Sequence, residues 1–450
     1  MRVKRLKKYY IETFGCALSE FDSSTMDSIL SQNNFEKTSE ISEADIIIVN
    51  TCAVRLDTEA KILKRLKEIK KNYGNSKLIV SGCLAKARPS LINRVVQNAS
   101  LISPQNVTRI LEVVNNKDKI VLIDGERNTD FIPTPPIEDS IATIMIEEGC
   151  VDNCSFCITK LARKTLRSYK PRIIIEVFEK LVKNGVKEIR LTGQDIAAYG
   201  LDFNPKFRLD DLINTILDKI KGDYRIRIGM MTPDKSIEII DNLLSYYNDE
   251  RIFKFFHIPV QSGDDEVLKI MNRNYTIDDY KQLHNKIKSK YPDSLFATDI
   301  IVGHPGEDEE AFQNTVKLVK DLRFERVYLA QYSIRPRTKA AYMEQVPEPI
   351  KKERSLILNE VIKQIDLDIY KKYVGNEYEA LVTSHGFKKN YVMARLNNYF
   401  PIAIKGDSDL IGKRVKVKIS NATYFDLRGE VIDRNYEKSL LEIHTISDGN

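Results

Sequence analysis

The six cysteines of this 450-residue chain constrain it more than any other feature. Each stands where an apolar, β-rich run gives way to a loop. The run Tyr9–Thr13 leads into Thr13-Phe14-Gly15-Cys16, Asp45–Asn50 into Asn50-Thr51-Cys52-Ala53, and Leu78–Ser81 into Ser81-Gly82-Cys83-Leu84. Helical patterns separate these runs, as in Thr58–Lys71, where Ile62, Leu66 and Ile69 share one face. The spacings of 36 and 31 residues are each about one strand–helix unit. Such alternation predicts a parallel sheet, whose strands point their carboxyl ends at one shared edge where ligands bind. Three thiols distant in sequence therefore converge. Gly15 and Gly82 leave room beside them for a bulky group. The other three thiols lie in one loop after an apolar strand, Cys150-Val151-Asp152-Asn153-Cys154-Ser155-Phe156-Cys157.

An even cysteine count suggests disulfides, but the rest of the chain argues against them. Apolar residues make up 42% and charged residues 30%, a soluble balance with enough apolar mass for sizeable cores. No apolar run approaches the roughly 18 residues of a membrane span. The basic start, Met1 to Lys8, is followed by Tyr9-Tyr10-Ile11-Glu12 and not by an apolar signal region. The expected location is cytoplasmic, where thiols stay reduced. Zinc is the next alternative for the C-x3-C-x2-C loop, but zinc wants four ligands and no fourth Cys or His lies nearby. Three thiolates in one loop suit three irons of a 4Fe–4S cluster, with the fourth iron open to an outside chelator. S-Adenosylmethionine (SAM) is such a chelator, and an electron passed into its sulfonium would release a 5′-deoxyadenosyl radical. Cys150, Cys154 and Cys157 are thus the expected catalytic metal ligands. Taken singly, Cys16, Cys52 and Cys83 read as core thiols. Placed one per strand end, they read as the ligands of a second 4Fe–4S cluster.

The fold class is α/β, in three segments. Residues 1–130 form the N-terminal parallel α/β cluster domain, ended by the proline-rich Phe131-Ile132-Pro133-Thr134-Pro135-Pro136. Residues 136–370 alternate six strands (Ile141–Ile146, Glu188–Thr192, Arg225–Gly229, Phe253–Ile258, Ala297–Val302, Arg326–Gln331) with helices such as Ile173–Lys183 and Leu209–Lys219. That order predicts a partial (β/α)6 barrel with its active face at the C-terminal strand ends. Thr192, Gln194, Asp195, Thr232, His257, Gln261, Asp299, Tyr332 and Ser333 gather there. A helix from about Ile350 to Tyr373 leads to residues 371–436, where short strands predict a small β-barrel. Residues 437–450 read as a tail. The net charge of +6 and pI near 8.7 permit nucleic acid without requiring it. Residues 371–438 hold 13 Lys/Arg against 8 Asp/Glu. There Lys413, Arg414, Lys416 and Lys418 alternate with apolar residues, either as a solvated face or as RNA-binding contacts to phosphate.

At this point the chain resembles the radical-SAM methylthiotransferases over nearly its whole length. The matching stretches are Thr13-Phe14-Gly15-Cys16, Asn50-Thr51-Cys52, Ser81-Gly82-Cys83, Glu148-Gly149-Cys150, Leu191-Thr192-Gly193-Gln194-Asp195, His257-Ile258-Pro259-Val260-Gln261-Ser262-Gly263, Met271-Asn272-Arg273 and Thr298-Asp299-Ile300-Ile301-Val302-Gly303. Cys157-Ile158-Thr159-Lys160-Leu161-Ala162-Arg163 and Ala197-Ala198-Tyr199-Gly200 resemble the archaeal and eukaryotic branch. That branch converts N6-threonylcarbamoyladenosine at tRNA position 37, in the anticodon loop, to its 2-methylthio derivative. The resemblance implies a radical-SAM domain, a C-terminal TRAM domain, two 4Fe–4S clusters and SAM. It implies that Thr192, Gln194, Asp195, His257, Gln261 and Asp299 line the cofactor site, and that a second SAM methylates the sulfur delivered at the Cys16–Cys52–Cys83 cluster. A reducing partner such as ferredoxin or flavodoxin is expected to supply electrons. Lys164, His304, Ile334 and Arg337 depart from the family pattern, which has Gly, Phe, Pro and Gly there. Two rival readings remain. One is a sister enzyme acting on isopentenyladenosine or a ribosomal-protein side chain. The other is a non-catalytic iron–sulfur protein that binds RNA or senses redox state.

Overall fold

The computed structural model describes residues 5–434 and Tyr436, so the expected tail at 437–450 lies outside the described residues. Six parallel strands open the chain: β1 (Lys7–Thr13), β2 (Phe35–Lys37), β3 (Ile46–Thr51), β4 (Lys77–Gly82), β5 (Ser100–Ile102) and β6 (Val121–Leu122). Their order is β2-β1-β3-β4-β5-β6. Every residue of β3, Ile46-Ile47-Ile48-Val49-Asn50-Thr51, is buried, as expected of a central strand with helices on both faces. Strand order reverses at β1, so the carboxyl ends of β1, β3 and β4 lie side by side at the switch point. Cys16, Cys52 and Cys83 follow those three ends.

The second sheet system holds β7 (Ile141–Met145), a short antiparallel ribbon of β8 (Glu147–Glu148) and β9 (Arg167–Ser168), then β10 (Glu188–Thr192), β11 (Arg225–Ile228), β12 (Phe255–His257), β13 (Leu295–Val302) and β14 (Arg326–Gln331). β7, β10 and β11 form one parallel sheet and β12, β13 and β14 another. Bridges Ile226↔Ile252 and Met230↔His257 join them into a partial barrel, left open between β7 and β14. All six expected strands are present. Covering helices are amphipathic: Pro171–Lys183 starts on a proline, whose missing N–H costs nothing there, and buries Ile174, Val177, Phe178 and Leu181.

Helix Glu348–Lys371 leads to a closed five-stranded barrel of β15 (Glu377–His385), β16 (Tyr391–Arg395), β17 (Pro401–Lys405), β18 (Arg414–Ala422) and β19 (Leu427–Asp433), in the order β15-β16-β17-β19-β18. Closure removes the exposed edges of so short a sheet. On β18 the alternation is as expected. Val415, Val417 and Ile419 are buried, while Lys416 and Lys418 face outward. The cores of this barrel and of the larger one are continuous, from Phe253 and Phe255 to Tyr399 and Phe400. Among the described residues no helix is long and apolar enough to cross a membrane.

Candidate functional site

The C-x3-C-x2-C loop leaves β8 through Gly149, held at φ +89° with Thr165 backbone where a side chain would start. Only glycine accepts both conditions. The Gly149 N–H donates to Gln194 Oε1 at 2.7 Å, and Lys160 donates to the Cys150 carbonyl. From the far side the Met271-Asn272-Arg273 turn clamps the loop. Ser155 N–H donates to the Met271 carbonyl (2.9 Å), Asn272 Nδ2 to the Asn153 carbonyl (3.0 Å), and Arg273 to Cys154 Sγ (3.1 Å). The sequence pattern singled out this turn but gave it no task. Burial pushes the Cys150 and Cys154 thiols up, and for Cys154 the Arg273 guanidinium works against that push. A bound cation offsets the same push, since coordination takes the thiolate.

Asp195 and Gln194 were expected at the cofactor itself. Both also make contacts that hold the site's own frame. The buried Asp195 carboxylate accepts from Thr232 N–H (2.8 Å) and Thr232 Oγ1 (2.6 Å), and burial raises it to about 6. Its backbone N–H donates to Glu147 Oε1 at 2.9 Å. Glu147 is fully buried, and its Oε2 has no partner. Burial lifts this carboxyl well above its ordinary range. Cys150, Asp152 and Asp195 bring ligand atoms within 4.8 Å of one another, and among the described residues no other trio does. The thiols of each three-cysteine set are therefore spread wider than ligands sharing a single ion. That spread suits a cluster, which seats each thiolate on its own iron.

His257, the last residue of β12, meets Asp299 in the middle of β13, with Nε2 2.7 Å from Oδ2. Gln261, at φ +72°, donates its backbone N–H to the Asp299 carbonyl. Thr192 lines a cavity inside the larger barrel. His304, where the family pattern has Phe, is fully buried beneath the cysteine loop. Its Nδ1 lies 2.8 Å from the Pro305 carbonyl and its Nε2 3.2 Å from Ser155 Oγ. Burial lowers its pKa to about 4, so it is neutral, with the proton on Nδ1 and the Ser155 hydroxyl donating to Nε2. Lys164 is exposed, and so is Ile334. Arg337 sits at φ +68°, which explains the glycine of the family pattern at this position.

The second set of thiols gathers at the N-terminal sheet edge. A Cβ on Gly15 would meet Ser19 and approach Cys52 Cβ at 3.8 Å, and Gly82, at φ +93°, has Asn50 and Thr51 against it. Cys16 is exposed, Cys52 half-buried and Cys83 buried. Burial drives the Cys83 thiol up to about 12, opposed by Arg163, whose Nε lies 3.5 Å from Cys83 Sγ. Arg163 also joins the two sets. With Arg127 it forms a buried four-charge cluster with Asp22 and Glu148. Arg127 reaches Asp22 (2.6 Å) and Glu148 (3.1 Å), and Arg163 reaches Glu148 (2.8 Å) and Asp22. Glu148 stands two residues before Cys150. Sequence reasoning missed this group because partners so distant in sequence leave no local signal.

The expected RNA-binding set divides. Lys413 pairs loosely with Asp409 (3.7 Å), Lys416 pairs with Glu377 (2.8 Å), and Lys418 is exposed. Arg414 does not belong with them. Its side chain is only 12% exposed and binds Glu379 (2.6 Å) and Asp223. Because Asp223 belongs to the larger barrel, Arg414 ties the two barrels together. One exposed aromatic went unremarked in the sequence: Phe387, fully solvent-facing, followed by Lys388 and Lys389.

Comparison with known proteins follows the same division. Residues 8–103 match the family described as "Uncharacterized protein family UPF0004", residues 144–319 the Radical SAM superfamily and residues 371–432 the TRAM domain. A Pyrococcus abyssi protein named "Probable threonylcarbamoyladenosine tRNA methylthiotransferase" is 37% identical over 432 residues, covering 94% of this chain and 99% of its own. A Methanocaldococcus jannaschii protein of the same name is 37% identical over 431 residues, 94% and 97% of the two chains. The "tRNA-2-methylthio-N(6)-dimethylallyladenosine synthase" of Aquifex aeolicus is 33% identical over 441 residues, 95% and 99%. Among solved structures, the radical S-adenosylmethionine methyltransferase TsrM from Kitasatospora setae superposes with TM-score 0.55 at 12% identity, covering 75% of this chain and 74% of its own, a likeness of fold alone. The three matched domains, the full-length relatives and the two sets of three thiols agree: the chain belongs to the radical-SAM methylthiotransferases, in the branch whose members are named for threonylcarbamoyladenosine.

Proposed function

We propose that this protein methylthiolates C2 of N6-threonylcarbamoyladenosine at position 37 of tRNA. The observation that supports the reading is the link between the two three-thiol sets: Arg163 reaches Cys83 Sγ (3.5 Å) and also Glu148 (2.8 Å), two residues before Cys150. Ala17, next to Cys16, and Thr192, near Gln194 and Asp195, both line the cavity inside the larger barrel. In this reading Cys150, Cys154 and Cys157 hold the cluster that binds SAM, and Cys16, Cys52 and Cys83 hold the second. When bound, these groups supply what no side chain can, radical opening of a C–H bond without acidity and a sulfur atom to replace the hydrogen. The chain's own residues position and shield. Arg273, Lys160 and Gln194 fix the first loop, and Arg163 and the two glycines shape the second. Thr192, His257, Gln261 and Asp299 are the residues this reading assigns to SAM. A ferredoxin- or flavodoxin-type donor supplies the electron. The reading is tested with reconstituted protein and anticodon stem–loop RNAs. The threonylcarbamoyl RNA is expected to be converted and the dimethylallyl RNA left unchanged; the reverse preference would point to the sister activity.

The C-terminal barrel supplies RNA affinity in this reading. Lys413, Lys416 and Lys418 reach phosphate, and Phe387 beside its lysines offers a stacking face for a base. Replacing the three lysines by Ala is expected to weaken tRNA binding and to flatten its salt dependence, by about one unit of slope for each phosphate that is no longer neutralised. Arg414→Ala is expected instead to lower the melting temperature, because it severs the tie to Asp223. Binding titrations at several salt concentrations check this. An unchanged slope in the triple variant would make β18 an ordinary solvated face.

A further inference from the structure

The interior of the larger barrel holds a cavity that takes lining residues from all six of its strands and is walled by all three parts of the chain. Ala17 and Glu20 come from the N-terminal part, Thr192 and Arg227 from the larger barrel, and Arg395 and Tyr399 from the small one. Its lining holds four arginines, Arg190, Arg227, Arg326 and Arg395, and a single carboxylate, Glu20. Cations set into a half-enclosed space cost free energy unless something pairs with them. Arg326 is committed, donating to Tyr370 and to the Phe425 carbonyl (2.8 Å). Arg190 lines the cavity but gives its Nε to Glu188 (2.6 Å) and also hydrogen-bonds Tyr399.

Arg227 differs from both. Among the described residues no carboxylate or carbonyl accepts from it, and its guanidinium lies over the rings of Phe255 (4.6 Å) and Tyr399 (5.8 Å). Arg395 lies on Tyr399 as well (4.6 Å), and among the described residues its buried Nε has no hydrogen-bond partner. Stacking on rings fixes the plane of a guanidinium while leaving its N–H edge unspent. A fixed, unspent fork is the geometry that takes a carboxylate through two parallel hydrogen bonds.

We propose that this cavity reads the free carboxylate of the threonylcarbamoyl group, with Arg227 as the principal contact and Arg190 and Arg395 beside it. Threonine joined through its nitrogen to a carbamoyl group keeps its α-carboxylate, so the substrate brings one anion to C2's own ring. A dimethylallyl substituent brings none, and would leave the guanidinium groups desolvated and unpaired. The inference rests on the substrate reading above. A phosphodiester of the anticodon loop has the same anionic chemistry, and the test separates the two.

The experiment uses full-length reconstituted protein and three anticodon stem–loops, carrying threonylcarbamoyladenosine, its α-carboxamide or plain adenosine at position 37. Affinities are read by fluorescence anisotropy without SAM, and conversion is read separately. Wild-type protein is expected to prefer the acid over the amide by roughly 10- to 100-fold, the worth of a charge-assisted pair. Arg227→Gln is expected to collapse that ratio to within about threefold, and Arg227→Lys to keep part of it. Iron content and melting temperature show that each variant is folded. Retention of the full ratio in Arg227→Gln and in an Arg190→Gln/Arg395→Gln double variant would overturn the proposal. So would an equal loss for all three RNAs with the ratio kept, which marks a phosphate contact. Wild-type protein that converts the acid RNA yet binds acid and amide alike overturns this inference alone. Failure to convert the acid RNA at all overturns the substrate reading, and this inference with it.

Discussion

Replacing Cys150, Cys154 and Cys157 together by Ala is expected to reduce SAM cleavage to background and to halve the iron content from about eight per chain, the count of two four-iron clusters. The complementary variant, with Cys16, Cys52 and Cys83 replaced, is expected to lose the other half of the iron. It should still release 5′-deoxyadenosine while making no methylthio product. The separation follows from how each set is held. The first loop is fixed by the Met271-Asn272-Arg273 turn and by Gln194, all within the larger barrel. The second set stands on the ends of β1, β3 and β4 and takes its shape from the N-terminal sheet. Iron analysis, electron paramagnetic resonance and product chromatography on both variants check it. Methylthio product from the second variant would remove the N-terminal thiols from the chemistry.

Arg163→Met is expected to be among the most damaging single substitutions outside the cysteines. It leaves Asp22 and Glu148, both buried, sharing the one remaining cation, Arg127. Breaking a buried charge set by removing one member costs about 3–5 kcal/mol. The apparent melting temperature should fall by roughly 10 °C. Cys83 also loses the guanidinium at its sulfur, so iron should be lost preferentially from the N-terminal set. Replacing Asp22 by Leu in the same chain removes one stranded carboxylate, and the double variant should melt higher than the sum of the single effects implies. Wild-type melting in Arg163→Met would show that the four charges contribute nothing to the joining of the two cluster regions.

The strands that carry the site were legible because each is an apolar run ending at a glycine, a cysteine or a polar pair. The six strands of the larger barrel and the inward Val415, Val417 and Ile419 follow from that periodicity alone. β2, β5, β6, β8 and β9, two or three residues each, were not legible, because so few residues carry no period and are strands only through their neighbours. Charged residues misled most. In sequence Asp22, Arg127, Glu148 and Arg163 look like solvated surface, yet they are buried together across separations of up to 141 residues. Arg414 looks like one more cation of a basic strand, and only the docking of the small barrel brings Asp223 to it. The arginines of the cavity inside the larger barrel were invisible for the same reason: Arg190 and Arg227 lie on strands whose apolar residues dominate the pattern. The glycine expected at Arg337 and the phenylalanine expected at His304 changed loop detail beside the site and left the six thiols in place.

Two three-thiol sites are expected to act together on one adenosine. Their joint action is tested most directly by mass spectrometry of the nucleosides from a single reaction. Reconstituted protein, a strong reductant, SAM labelled in its methyl group and stem–loop RNA bearing threonylcarbamoyladenosine are incubated without oxygen. One new nucleoside is expected, heavier by a sulfur and one labelled methyl group on the adenine, with 5′-deoxyadenosine formed beside it. Release of 5′-deoxyadenosine with no change in the threonylcarbamoyl nucleoside, or a labelled methyl group attached without sulfur, would contradict this joint action.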